Sequence, residues 1–215
     1  MGGGAAGTLL GSDGVRRCAW AGDDPLYCRY HDLEWGFPVR DDGRLFEKIC
    51  LEGFQAGLAW ITILRKREAF RAAFRRFEIE AVARMNQRSV SRLLRDPGIV
   101  RHRGKIESTL NNARRAREVA RDHGSLAAFV WRYAPAPGSR PARITLESVA
   151  RLAKTPESEA LSRALKDRGF TFVGPTTMYA FMQAMGMVDD HLEGCEIRAR
   201  AEDARARFRV PALAR

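Results

Sequence analysis

The sequence predicts an all-α fold. Apolar residues recur at the i, i+3, i+4, i+7 spacing in several segments, and no run alternates apolar and polar residues for long enough to form a convincing strand. Gly or Pro follows the periodic segments, as expected at helix ends. With 215 residues, 45% of them hydrophobic and 29% charged, the chain can bury a sizeable core, which excludes disordered and fibrous classes.

Residues 1–14 are rich in Gly and Ala, lack a basic start and carry only the short apolar patch Thr8-Leu9-Leu10, so they read as a flexible tail and not a signal sequence. The first strong helix follows Asp41 or Asp42 as a cap and places Phe46, Ile49, Cys50 and Gly53 on one face. A second includes Ile61, Leu64 and Phe70. A short one around Val90, Leu93 and Leu94 stops at Asp96-Pro97-Gly98, because Pro disfavours helix at the residue before it. From about Arg103 to His123 a long helix puts Ile106, Leu110 and Ala113 on one stripe and Arg114, Arg115, Arg117 and Arg121 on the others, ending before Gly124.

The segment Ala134 to Pro141 holds three of the nine prolines and is expected to separate two lobes. Beyond it, Leu161, Ala164 and Leu165 mark a helix ending before Gly169, and Met178, Phe181, Met182 and Met185 mark another ending before Gly186. The stretch from Phe170 to Val188 is uncharged, but Gly174, Pro175, Thr176, Thr177 and Gln183 make it a buried helix entered through a Gly-Pro turn and not a membrane span. The helical domain is thus expected over residues 15–196, followed by a basic tail over 197–215.

Lys and Arg number 37 against 26 Asp and Glu, a net charge of +11. Such an excess points to an anionic partner, nucleic acid before membrane for a compact domain. Four scattered cysteines, Cys18, Cys28, Cys50 and Cys195, are too few for a secreted disulfide scaffold and indicate a reducing, cytoplasmic compartment. Nothing demands more than a monomer.

Cys18 and His31 near the start, with His191 and Cys195 in a His-x3-Cys arrangement near the end, form a Cys2His2 set. Spacing alone leaves three readings open: a zinc site, an unrelated polar pair at the C-terminal end, and a Cys18–Cys195 disulfide that the compartment disfavours. As a zinc site, four protein ligands close the coordination sphere, so the metal would be structural and would join the terminal segments.

Between two helices, Gly98, Arg101, His102, Arg103, Gly104 and Lys105 crowd a turn whose backbone N–H groups and cations suit a phosphate; an ordinary basic connection is the plainer reading. Trp20, Tyr27, Tyr30 and Trp35 cluster before the first long helix and Trp60 follows it. A site for a flipped-out base needs such stacking faces and a polar group for the base edge, for which Glu52 is the candidate. A salt bridge to Lys or Arg is the commoner fate of a helical Glu.

Six blocks then occur in one order: Cys18-Ala19-Trp20, Asp24-Pro25-Leu26-Tyr27, Tyr30 to Gly36, Cys50 to Trp60, Arg101 to Ile106, and Gly169 to Gly174. Over roughly Cys18 to Cys195 the chain closely resembles bacterial DNA-3-methyladenine glycosylase I, of the helix-hairpin-helix DNA glycosylase superfamily. The resemblance implies a two-lobed helical fold with the base pocket between lobes, and a structural Zn2+ held by Cys18, His31, His191 and Cys195. It places base recognition on Glu52 and Tyr30, the stacking wall on Trp60, and pocket lining on Trp20 and Trp35, beside Tyr27.

The implied activity is base-excision repair of alkylated double-stranded DNA: 3-methyladenine is flipped out and its N-glycosidic bond hydrolysed, leaving an abasic site. The cationic base would be favoured by cation–π attraction to Trp60 and Coulomb attraction to Glu52. Two departures are Phe54, where a polar residue is expected, and Pro175 after Gly174. Rival readings are a non-catalytic helix-hairpin-helix DNA-binding protein and a bifunctional glycosylase/lyase using Lys105 as Schiff-base nucleophile. The turn at Gly57-Leu58 is the candidate wedge for the gap left by the base.

Overall fold

The computed structural model describes residues 7–136, 138–141, 143–150 and 152–212. The protein is mostly helical, with one small departure from the expected all-α class. Thr8–Leu10 (β1) and Arg16–Cys18 (β2) pair antiparallel, with Thr8 opposite Cys18. The part of the expected N-terminal tail within the described residues is therefore ordered from the hairpin onward; residues 1–6 lie outside them. Two three-residue strands carry too little alternation to be read from sequence. The hairpin is tied to the far end of the chain, since Arg16 donates its N–H to Glu196 Oε1 and accepts from Glu196 N, each at 3.0 Å.

The helices run α1 (Pro25–Leu33), α2 (Asp42–Gln55), α3 (Trp60–Arg65), α4 (Arg67–Ala73), α5 (Ile79–Ala83), α6 (Gln87–Leu93), α7 (Arg103–His123), α8 (Leu126–Trp131), α9 (Leu146–Ala150), α10 (Pro156–Asp167), α11 (Pro175–Ala184) and α12 (Arg198–Arg207). Their ends have local causes. Asp24 caps α1 by accepting from the N–H groups of Leu26 and Tyr27, Asp41 caps α2 through Arg44 N, and Thr155 forms a capping box with Ser158 at α10. Gly174 precedes Pro175 at the first turn of α11, where a missing N–H costs nothing. The helix expected to include Ile61 and Phe70 is two helices, divided at Lys66.

Helix α2 is the centre of the molecule. It packs against α3, α7, α8 and α11, and its buried residues run almost without interruption from Leu45 to Phe54. Phe54, unexpected as an apolar residue here, packs against Phe70 at 4.6 Å and Phe74 at 5.9 Å between ring centroids. The core does not divide at the Pro-rich segment: Leu126 and Phe129 before it share one apolar cluster with Leu161 and Phe181 after it. A second, smaller cluster joins Cys18, Ile144, Leu192, Cys195 and Ile197 near the two termini. The expected basic tail forms α12 in part, with Ala201 buried and the Phe208 ring tilted against Trp131 at 4.4 Å between centroids; residues 213–215 lie outside the described residues. Among the described residues no helix is long and apolar enough to cross a membrane.

Candidate active site and metal centre

A cavity of about 230 Å³ opens beside α2, lined by Trp20, Tyr27, Tyr30, Trp35, Glu52, Gln55, Trp60, Ala180 and Gln183. The structure thus gathers the five aromatic residues expected at the base site, Trp20, Tyr27, Tyr30, Trp35 and Trp60, around one carboxylate. Tyr27 and Tyr30 project from α1, Glu52 and Gln55 from the last turns of α2, Trp60 from the start of α3 and Gln183 from α11. The Trp20 ring lies 5.0 Å from both Tyr27 and Trp35, and Tyr30 lies 5.4 Å from Trp60. Gly53 lies close under Phe172, so that an added Cβ would come within 3.2 Å of the Phe172 Cβ and Phe172 would have to give by a few tenths of an ångström.

The carboxylate is not a lone charge. Lys48, one helical turn before Glu52, places Nζ 2.8 Å from Glu52 Oε1 and donates to the Tyr30 hydroxyl at 2.8 Å. The same ammonium lies 3.3 Å from the centroid of Trp60. Glu52 and Lys48 are each 5% exposed. Burial, and after it the Glu52 carboxylate, push the Tyr30 phenol well above its ordinary pKa, so it stays a neutral hydroxyl. Because that hydroxyl accepts from Lys48, its own proton is left to donate. Burial pushes the Lys48 ammonium down, against the pull of Glu52. The salt-bridged reading of Glu52 therefore holds alongside its place in the cavity, and Lys48 offsets the Coulomb attraction expected of Glu52 for a cationic base.

Sequence reasoning missed Lys48, Gln55 and Gln183. The i, i+4 spacing of Lys48 and Glu52 was a readable signal. Gln183 was not readable, since its Nε2 is fixed by a 2.8 Å hydrogen bond to Asp190 Oδ2, which also accepts from Tyr179 at 2.6 Å.

The terminal donors also come together. Cys18, His31 and Cys195 bring their ligand atoms within 4.8 Å of one another, and the His191 ring lies 4.9 Å from that of His31. No disulfide forms, as all four cysteines are free. His31 Nδ1 meets Asp32 Oδ1 at 2.8 Å and His191 Nδ1 meets Asp189 Oδ1 at 2.7 Å, which leaves each Nε2 for another partner. His191 Nε2 is buried with no hydrogen-bond partner among the described residues, a costly state unless a cation meets it. The bond from Cys18, and then that from His31, draw the Cys195 thiol down against burial, while the bond with Cys195 and burial drive Cys18 up. Gly36 is required beside this centre: it has φ +83°, and a Cβ there would lie 2.6 Å from His191 Cε1. Two thiols, two imidazoles and their orienting carboxylates fit a zinc ion.

Gly98, Arg101 and His102 lie between α6 and α7 and Arg103 and Gly104 open α7, with Arg101, His102 and Arg103 exposed. His102 caps α7 by accepting from Lys105 N at 3.2 Å, and Lys66 fastens the turn by donating to the carbonyls of Pro97 at 3.0 Å and Gly98 at 3.3 Å. Lys105 departs from the expected phosphate contact. Its buried Nζ donates to the carbonyls of Phe54 at 2.9 Å and Ala56 at 2.6 Å, closing the C-terminal end of α2. A cation held there offers no free nucleophile, which removes the basis of the lyase reading. The block Gly169 to Gly174 is pinned to α7, where Asn112 both accepts from Thr171 N and donates to Thr171 O at 2.9 Å.

The sequence profile of the methyladenine glycosylase family matches residues 20–199. The chain belongs to the methyladenine glycosylase family. It is 48% identical over 181 residues to DNA-3-methyladenine glycosylase 1 of Escherichia coli, covering 84% of this chain and 96% of that protein. It is 46% identical to DNA-3-methyladenine glycosylase of Haemophilus influenzae, over 83% of this chain and 96% of that one. Its fold is similar, with a TM-score of 0.78 and 38% identity, to 3-methyladenine DNA glycosylase I from Staphylococcus aureus, solved for the structural basis of 3-methyladenine recognition; 85% of this chain and 96% of that one are covered. For this family member the six sequence blocks map onto the cavity wall, the hairpin and the pinned segment beside them.

Proposed function

We propose that this protein is a base-excision-repair glycosylase that receives 3-methyladenine flipped out of duplex DNA and hydrolyses its N-glycosidic bond, leaving an abasic site. The observation that carries the reading is the cavity itself, an aromatic-walled space with one carboxylate and the neutral phenols of Tyr27 and Tyr30, in a chain of the methyladenine glycosylase family. Methylation at N3 leaves the base cationic and its glycosidic bond already weakened, so the enzyme needs little acid catalysis. Trp60 supplies the stacking face, Glu52 Oε2 accepts from the base edge, and the Tyr30 hydroxyl donates to a ring nitrogen. Closing aromatic walls over the base keep the approach of water to the sugar side, where Glu52 can orient it.

The exposed Arg101, His102 and Arg103 with Gly98 and Gly104 form a helix-hairpin-helix contact to the phosphate backbone, reading no sequence. Cys18, His31, His191 and Cys195 hold a structural Zn2+, whose role is to lock the β-hairpin and α1 to the C-terminal segment. Trp20 and Trp35 pack on the rings of His31 and His191, at 5.1 and 4.7 Å, so that lock also sets one wall of the cavity. A monomer working in the cytoplasm suffices for this role.

Titration with free 3-methyladenine, followed by tryptophan fluorescence, tests the site. Saturable quenching that is lost in Trp60→Ala is expected. An unquenched wild type, or unaltered quenching in the variant, overturns the placement of the base.

A further inference from the structure

We propose that Lys48 sets the charge selectivity of the base cavity: it cancels the cavity's negative potential, so that purine bases are recognised by shape and hydrogen bonding and uncharged N3-substituted purines are accepted beside cationic ones. The inference rests on the glycosylase reading above and specifies its ligand class. Three contacts carry it. Nζ is 2.8 Å from Glu52 Oε1, 2.8 Å from the Tyr30 hydroxyl and 3.3 Å from the Trp60 centroid. Trp60 lines both the base cavity and a second, polar cavity behind it, whereas Lys48 lines only the rear one. The ammonium therefore occupies the rear π-face and leaves the front face to a base.

Both effects act in one direction. A cation on the rear face opposes a second cation on the front face of the same ring, and the ion pair removes the net charge of the only carboxylate lining the cavity among the described residues. What remains for the base is directional. Lys48 engages Oε1, and among the described residues Glu52 Oε2 has no hydrogen-bond partner. The two other carboxylates of the rear cavity have their own cations, since Arg67 pairs with Glu34 at 2.6 Å and Arg71 with Glu47 at 2.8 Å, and Arg44 adds a further positive charge to its lining. Lys48 and Glu52 are thus a pair of their own, and removing the lysine leaves the carboxylate uncompensated.

The test measures affinity for two probes in the full-length protein: free 3-methyladenine, at a pH where it is uncharged, and the fixed cation 3,9-dimethyladeninium. Their affinity ratio is compared in the wild type, Lys48→Met, Glu52→Gln and the double variant. The wild type is expected to bind the two within a few-fold. Lys48→Met should shift the ratio toward the cation on the order of tenfold, as for one unit charge a few ångströms from the ring. The double variant is again neutral and should return to the wild-type ratio, whereas Glu52→Gln should shift it the other way; Lys48→Arg should restore the wild-type value. If Lys48→Met does not fold, the rise in ratio from Glu52→Gln to the double variant makes the same test. A ratio that does not respond to Lys48 in either background overturns the proposal. A wild type that binds neither probe overturns the glycosylase reading instead.

Discussion

Lys105→Met separates a helix-closing role from a DNA-contacting one. In the structure the ammonium donates to two carbonyls at the end of α2, at 2.9 and 2.6 Å, and the residue is 8% exposed. Hydrogen bonds to a charged group contribute roughly 1.5–3 kcal/mol each, part of which returns when the buried cation itself is removed. We therefore expect a net loss of about 2–4 kcal/mol, or a fall in Tm of roughly 5–15 °C for a chain of this size. The assay is thermal and urea unfolding, beside DNA binding measured over a series of salt concentrations. Each lost phosphate contact flattens the log–log salt slope by about 0.9. Arg101→Ala should flatten it by that amount and Lys105→Met should leave it unchanged. A Lys105→Met variant as stable as the wild type, with a flattened slope, would refute the reasoning.

Elemental analysis should find one zinc per chain, and His191→Ala should lose it; stripping the metal should remove on the order of 10 kcal/mol of apparent binding energy and loosen the Trp20–Trp35 wall. A metal-free protein with an unchanged Tm contradicts this. Asp190→Ala leaves Arg140, Tyr179 and Gln183 without their shared carboxylate, and unfolding should detect a loss of about 3–5 kcal/mol with weakened base binding through Gln183. A shift of only a few tenths of a kcal/mol would show that the network is not coupled in this way. Burial opposes ionisation of Asp32 and Glu34, but their bonds to Arg17 and Arg67 outweigh it and hold both carboxyls below the usual range. Their stabilisation is complete above the unfolded value near 4 and is lost as pH falls through the folded values, so Tm should drop on acidification below about pH 4 and less steeply in Arg67→Met. Parallel curves for the two proteins would remove Glu34 from that account.

The parts of the fold legible in the sequence were those with local causes. Asp41, Gly124, Pro97 and the Gly174-Pro175 step delimit α2, α7, α6 and α11 because caps and breakers act on the residues beside them. The β-hairpin escaped because its strands are three residues long and Leu9 and Leu10 are exposed. The aromatic site was legible because Trp20 to Trp35 fall close together in the chain. Lys105 was misread because its partners lie 51 and 49 residues away, on a helix end that no local pattern connects to the hairpin. Asp190 was missed for the same reason, and Lys48 only because its helical spacing to Glu52 was read in general and not for that residue.

The central claim is tested most directly by chromatography of the bases freed from methylated duplex DNA by the wild type and by Glu52→Ala. The account predicts free 3-methyladenine from the wild type, sharply reduced release from the variant, intact strands, and no borohydride-trapped complex through Lys105. DNA that is bound but yields no free base, or a trapped covalent complex with strand cleavage, would contradict it.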